Sequence, residues 1–232
     1  MKETNKAVKV IRVVFAAASA CLVLFLFLNH SEKLDTPLRE YITANFFEET
    51  GAQNAVSAIY LNYRVFDTLL ETLMLLVSVM EVINVSWAGK QARQRTFETE
   101  PFDPKDHSEI VLRMVGVIYP FVLLIGLYII FNGHVSPGGG FQGGAILATA
   151  LISRYLVYPN FDLDLDRLEK FEKLLFLAIA ATPILYIFMQ IQPVDTLFSH
   201  QVYMVFMNSL IGLKVFAGLS VIFYRFVFYE GR

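Results

Sequence analysis

The sequence has one cysteine, Cys21, in 232 residues, so no disulfide framework can form within the chain. It has no Cys/His cluster at metal or iron–sulfur spacing, and no nucleophile–base set can be assembled from its motifs. We therefore expect no catalytic residues, no metal and no cofactor in this chain. No basic block is present and the net charge is −2, which leaves no electrostatic footprint for nucleic acid. Charge is scarce altogether: 17% of residues are charged and 56% are hydrophobic, too apolar for a soluble domain of this length. The apolar residues fall into runs of about 20, the length that crosses a hydrocarbon core of roughly 30 Å.

Six runs qualify: Val8 to Leu28, Phe66 to Ser86, Ile110 to Phe131, Gly140 to Val157, Phe171 to Met189 and Val202 to Phe228. Lys2, Lys6 and Lys9 precede the first, and Ala18-Ser19-Ala20-Cys21 loosely resembles a lipoprotein cleavage site. The apolar run continues through Leu22 to Leu28, however, so the first helix reads as retained rather than cleaved. The expected fold is all-α, a polytopic membrane protein of about six helices. Lys and Arg alternate between loops. They occur at Lys2, Lys6, Lys9 and Arg12, at Lys90, Arg93, Arg95 and Lys105, at Arg154, Arg167, Lys170 and Lys173, and at Arg225 and Arg232. The intervening loops are poor in them. The positive-inside rule then places both termini in the cytoplasm and the chain in the cytoplasmic membrane.

Between Trp87 and His107 lies a charged connector whose Pro101 and Pro104 disfavour helix. It splits the chain into a 2+4 arrangement: a two-helix unit over 1–95, a linker over 96–107 and a four-helix domain over 108–232. Ala52 to Tyr63 reads as a short interfacial helix before the second span. Pro120 and Pro183, inside spans, read as kinks, and His30, His107 and His200 as ordinary polar residues at membrane edges. No internal repeat links the two parts, which disfavours a self-sufficient carrier of the inverted-repeat kind.

The most distinctive segment runs from Asn132 to Ala145 and contains Gly138-Gly139-Gly140-Phe141-Gln142-Gly143-Gly144. Gly139/Gly143, Gly140/Gly144 and Gly144/Ala148 are small-xxx-small pairs, which on a helix make a face that another helix can approach closely. A nucleotide-binding loop is excluded in practice, because no Lys-Ser/Thr follows and no strand precedes.

Gly133-His134 followed by Pro137-Gly138-Gly139-Gly140-Phe141 and Gly143-Gly144 closely resembles the signature of the B subunit of Mrp-type multisubunit Na⁺/H⁺ antiporters, the MnhB family. The resemblance covers Glu109 to Tyr229 and includes Asn208, Gly212, Lys214 and Gly218. Gln142 replaces the usual aliphatic residue and looks more like the related subunits of membrane-bound hydrogenase and sulfane-reductase complexes. Asn62 to Glu71, with Arg64, Phe66, Asp67, Thr68, Leu69 and Glu71, resembles the opening of a C-terminal helix of the large A subunit; it departs at Asn62, Val65 and Leu70. The chain thus looks like a fusion of that unit with a B-type subunit. The resemblance implies a non-catalytic subunit of a Na⁺/H⁺ antiporter module, with other Mrp-like membrane subunits as partners and Na⁺, H⁺ and membrane lipid around it. It also implies that the module either stands alone or joins a redox arm of hydrogenase or sulfane-reductase type.

The charges inside spans supply candidate ion-pathway residues. Asp67, Glu71, Met74, Ser78 and Glu81 fall in one stripe of the second span. Acids in a span normally face protein or water rather than lipid. Asp67 and Glu81 sit near opposite interfaces, where solvation alone would suffice, whereas Glu71 is deeper and is expected to face a polar partner. Lys214 lies mid-span, too deep to snorkel easily, and calls for a buried acid or a water-filled path. Glu71 and Glu81 are candidate partners, and so is an acid on another subunit. His134 is either a proton relay at an outer mouth or a residue that fixes the loop. A purely structural scaffold competes with the antiporter reading, and leaves Glu71 and Lys214 as unexplained costs. One prediction tests the topology: reporter fusions after Asn160 and after Pro193 should report opposite sides of the membrane, and the same side would remove the fifth span.

Overall fold

The computed structural model describes residues 14, 17–22, 24–25, 28, 36–86, 109–157, 164–190 and 196–230. The expected first span lies mostly outside the described residues; those described within it are helical. The expected linker 96–107 lies outside them altogether. The chain forms two compact units, Met1–Tyr41 and Ile42–Arg232. The first is marked by exposed apolar side chains, among them Val14, Leu22, Phe25 and Leu28.

The described elements are all helical. In chain order they are α1 (Thr36–Thr50), α2 (Ala55–Ala58), a wide π-type turn (Ile59–Tyr63), α3 (Val65–Ser86), α4 (Glu109–Phe131), α5 (Gly140–Val157), α6 (Leu165–Gln190) and α7 (Thr196–Glu230). Four of these helices contain stretches long and apolar enough to cross a membrane: Val65–Val85, Glu109–Phe131, Leu165–Phe188 and His200–Phe226. The expected fourth span is present as helix α5 with the expected bounds, but it is not among those four. Its polar and small residues reflect protein on both sides, with α4 against one face and α7 against another. Pro120 and Pro183 lie inside α4 and α6.

In the second unit α7 is the central helix. Gly140 and Gly144 of α5 meet Asn208–Ile211 and Gly212–Val215 of α7 in the same order, so these helices run parallel. Gly143 and Leu147 of α5 meet Ile130 and Gly126 of α4 in reverse order, so these are antiparallel. Leu61 and Tyr60, just before α3, meet Tyr203 and Asn208 of α7, and Leu75 and Val79 of α3 lie beside Gly218 further along it, so α3 runs parallel to α7; the side-chain pairs described below place α6 antiparallel to it. The alternation α3, α5, α7 against α4, α6 is the up-and-down order that successive membrane crossings produce.

The segment before α3 packs into the protein. Ala52, Ala58 and Leu61 are fully buried and join Leu175, Ile179, Met204, Met207 and Ile211 in one apolar cluster. Asn54 caps α2: its Oδ1 accepts from Val56 N at 3.1 Å. Its Nδ2 donates to Gly133 O and Ser136 O, both at 3.0 Å. Gln53 N and Asn54 N both donate to His134 O, at 2.9 and 3.0 Å. The glycine-rich loop is thereby stapled to the start of α2. The wide turn frees backbone carbonyls that side chains then satisfy: Thr68 Oγ1 donates to Tyr60 O at 2.5 Å, and Tyr203 Oη to Leu61 O at 2.9 Å.

The small-residue faces are used inside this chain. A Cβ on Gly140 would lie 2.6 Å from Asn208 O and 2.8 Å from Ile211 Cβ, and one on Gly144 would strike Gly212 O and lie 2.8 Å from Val215 Cβ. Backbone cannot move aside as a flexible side chain can. Gly144→Ala should therefore destabilise the chain by roughly 1–3 kcal/mol, and Gly143→Leu or Gly144→Leu should prevent accumulation of folded chain. Thermal unfolding in detergent checks this, with Gly116→Ala as control, since nothing lies within 4 Å of a Cβ there.

Candidate functional site

Lys214 of α7 and Glu172 of α6 form an ion pair, Nζ to Oε1, with both side chains 0% exposed. Lys214 Nζ also lies 5.7 Å from the centre of the Phe176 ring, where a desolvated ammonium gains from the ring quadrupole. The pair forms because α6 and α7 run antiparallel from a short connection. Glu172 lies as many residues before the end of α6, Gln190, as Lys214 lies after the start of α7, Thr196. The two side chains therefore meet at one level. Three residues earlier on α6, Glu169 pairs with Arg225 of α7, with side chains 13% and 7% exposed. Two acids at i and i+3 on one helix thus face two cations on the next.

Lys214 takes neither Glu71 nor Glu81. The buried face of α3 is formed by Thr68, Thr72 and Val79, and the acidic stripe lies on another side. Glu71 and Glu81 are exposed on the chain. Asp67 is half-exposed and forms an ion pair with Arg64, one turn before it. Glu172 was not singled out in the sequence because it stands between Lys170 and Lys173 at the very start of the expected fifth span, where a charge reads as an ordinary residue of the span's end. Its signal is the i, i+3, i+6, i+10 spacing of Glu169, Glu172, Leu175 and Ile179, all of which lie on the inward face of α6.

A second polar node lies at the start of α5. Asn208 Oδ1 accepts from Tyr60 Oη at 2.6 Å and from Gly140 N at 2.9 Å. Gly139, with φ +157°, leaves no room for a side chain, because a Cβ would collide with Tyr60 Oη. Burial pushes the Tyr60 phenol above its ordinary pKa, and hydrogen bonding to Ser57, Asn208 and Gly140 opposes that rise. Gly138 is half-buried, while Gly139, Gly140, Gly143 and Gly144 are buried.

His134 is half-buried, and its contribution to the loop is its backbone carbonyl; its Nδ1 is buried without a hydrogen-bond partner among the described residues. His200 opens the apolar stretch of α7, as expected of an edge position, but it is buried in protein, 9% exposed, and sits edge-on to Tyr186 at 5.8 Å. Tyr186 stacks on Tyr203 at 4.1 Å.

Residues 110–221 match the domain related to the MnhB subunit of Na⁺/H⁺ antiporters. The chain is 34% identical to the uncharacterized protein MJ1307 of Methanocaldococcus jannaschii over 199 residues, 72% of this chain and 74% of that one. It is 34% identical over 86 residues to a Staphylococcus epidermidis protein described as antiporter subunit mnhB2, matching 34% of this chain and 61% of that protein. Among solved structures, a chain of the membrane-bound sulfane sulfur reductase, an archaeal respiratory membrane complex, superposes with a TM-score of 0.67 at 28% identity, covering 93% of this chain and 98% of that one. A chain of the Mrp complex from Dietzia shares the fold, with a TM-score of 0.53 at 19% identity, covering 91% of this chain and 26% of that one. With the glycine-rich segment, Asn208 and Lys214 inside the matched region, this chain belongs to the family of MnhB-related membrane subunits.

Proposed function

We propose that this chain is a non-catalytic membrane subunit of an Mrp-type Na⁺/H⁺ antiporter module, carried within a respiratory membrane complex of the hydrogenase or sulfane-reductase type. The observation that supports this best is the fully buried Lys214–Glu172 pair in membrane-crossing helices. A charge at the centre of a membrane helix costs about 2.5–3.5 kcal/mol on insertion scales, and an apolar pair of similar volume is often as stable as a buried ion pair or more so. Retaining two charges there fits a role in charge movement better than a role in folding. The near-complete overlap with a subunit of the sulfane reductase complex supports the larger assembly, in which redox chemistry belongs to partner subunits.

Within this reading the chain lies in the cytoplasmic membrane with both termini in the cytoplasm. Ser78 and the exposed acids Glu71 and Glu81 of α3 face neighbouring membrane subunits, which shield them from lipid. The 2+4 division is then a matter of ancestry rather than packing, because α3 packs against α7 and α6.

The competing reading is a structural scaffold. In membrane vesicles holding the intact complex, Lys214→Met together with Glu172→Gln removes both buried charges and leaves neither unpaired. The complex should assemble, and Na⁺-dependent proton movement should fall by about tenfold or more, a modest loss for a positioned proton-transfer group. Wild-type transport in that assembled double variant would make the scaffold reading the better one. Lys214→Met alone should cost roughly 3–5 kcal/mol of stability, since it strands a buried carboxylate, and thermal unfolding of the purified complex measures it.

A further inference from the structure

The Lys214–Glu172 pair leaves one polar atom unused. Glu172 Oε1 accepts from Lys214 Nζ, while Glu172 Oε2 is buried with no hydrogen-bond partner among the described residues. A bare carboxylate oxygen inside protein is costly unless something visits it. Glu169 is the next acid on the same face of α6, three residues and about 4.5 Å away along the helix, and its side chain, paired with Arg225, is 13% exposed, whereas that of Glu172 is 0% exposed. Beyond it the N-terminal turn of α6 is exposed at Asp164, Asp166 and Arg167. In the other direction the path is shut: Leu175, Ile179, Met207 and Ile211 fill the next turns, and three of them are fully buried.

We propose that Glu172 Oε2 is a proton-loading site served from the N-terminal end of α6 through the Glu169–Arg225 pair, and that its chemistry admits H⁺ and excludes Na⁺. The inference rests on the antiporter reading for its purpose, but not for its chemistry. Loading adds one proton to the Glu172 carboxylate and gives a neutral acid beside the Lys214 ammonium. Unloading returns that proton from Oε2 and restores a carboxylate–ammonium pair of zero net charge. A sodium ion needs several oxygen ligands. Here one oxygen is free, an ammonium is its neighbour, and no group of three acidic, histidine or cysteine side chains able to hold a metal ion occurs among the described residues.

The other charged groups are placed so that they do not compete. Lys170 and Lys173 on α6 are exposed. The acids of α3 are exposed, and that helix presents Leu75 and Val79 toward α7. From α5, Arg154 lies over the Tyr119 ring at 4.9 Å, and Tyr155 packs on Tyr224 at 4.9 Å.

The test is infrared difference spectroscopy of the purified intact complex carrying ¹³C-glutamate, stepped from high to low pH. A protonated carboxylic acid carbonyl band should appear, should vanish in Glu172→Gln, and should be unaffected by Na⁺. Should Glu172→Gln fail to fold because Lys214 is stranded, Glu172→Gln with Lys214→Met keeps the site neutral and should also lack the band. Glu169→Gln should keep the band but slow its appearance after a pH jump by about tenfold. A band that survives the loss of Glu172, no band at any pH, or a Glu172-dependent band that Na⁺ removes would overturn the proposal. Absence of Na⁺-dependent proton movement in wild-type vesicles, with the band intact, would instead overturn the antiporter reading and leave the proton site standing.

Discussion

The close approach of α5 to α7 positions most of what is distinctive in this fold. Two glycines one turn apart, Gly140 and Gly144, bring the α5 backbone against Asn208, Ile211, Gly212 and Val215. In a bilayer, where apolar side chains gain little by leaving lipid for protein, helices associate through close packing and hydrogen bonds. Small residues supply the first and Asn208 the second: its side-chain oxygen takes the N–H of Gly140, at a helix start where the backbone has no intrahelical acceptor. The same oxygen takes Tyr60 Oη, which ties the wide turn before α3 to α7.

From that contact the rest follows by geometry. With α7 fixed against α5 on one side, its other faces receive α3 and α6. The turn before α3 is buried, so its open carbonyls need donors, and Thr68 and Tyr203 provide them. The glycine-rich loop closes over the same end through Asn54. Further along the α6–α7 contact, from the middle of α7 toward its C-terminal end, the two acids of α6 meet the two cations of α7. Breaking either buried pair on one side alone leaves a stranded charge, so each acid depends on its own cation.

The outward surfaces differ in character. The exposed face of α4 carries Ile110, Val117, Ile118, Phe121, Leu124 and Ile125, chemistry suited to lipid. The exposed side of α3 mixes Phe66, Leu70, Met74 and Val77 with Glu71 and Glu81. Carboxylates within a span are stable only beside protein or water, and subunits of multisubunit membrane complexes are this chain's structural neighbours.

The sequence by itself determined the class of the protein and most of its helices. Apolar runs of membrane length can be read without knowing what they touch, because lipid imposes one length on each of them. The glycine pairs likewise announced a close helix contact, and Lys214 announced a buried partner. Only the tertiary structure decided who those partners are. The glycines meet the chain's own α4 and α7. Lys214 meets Glu172, which stands between two exposed lysines at the start of the expected fifth span, and not the acids of α3. The half-apolar composition of Ala52 to Tyr63 likewise does not reveal that it packs into the protein as a turn whose carbonyls are satisfied by residues as distant as Tyr203. Local pattern fixes the existence and period of a helix. Which faces meet depends on the crossing order and level of helices far apart in the chain, and no local window contains that information.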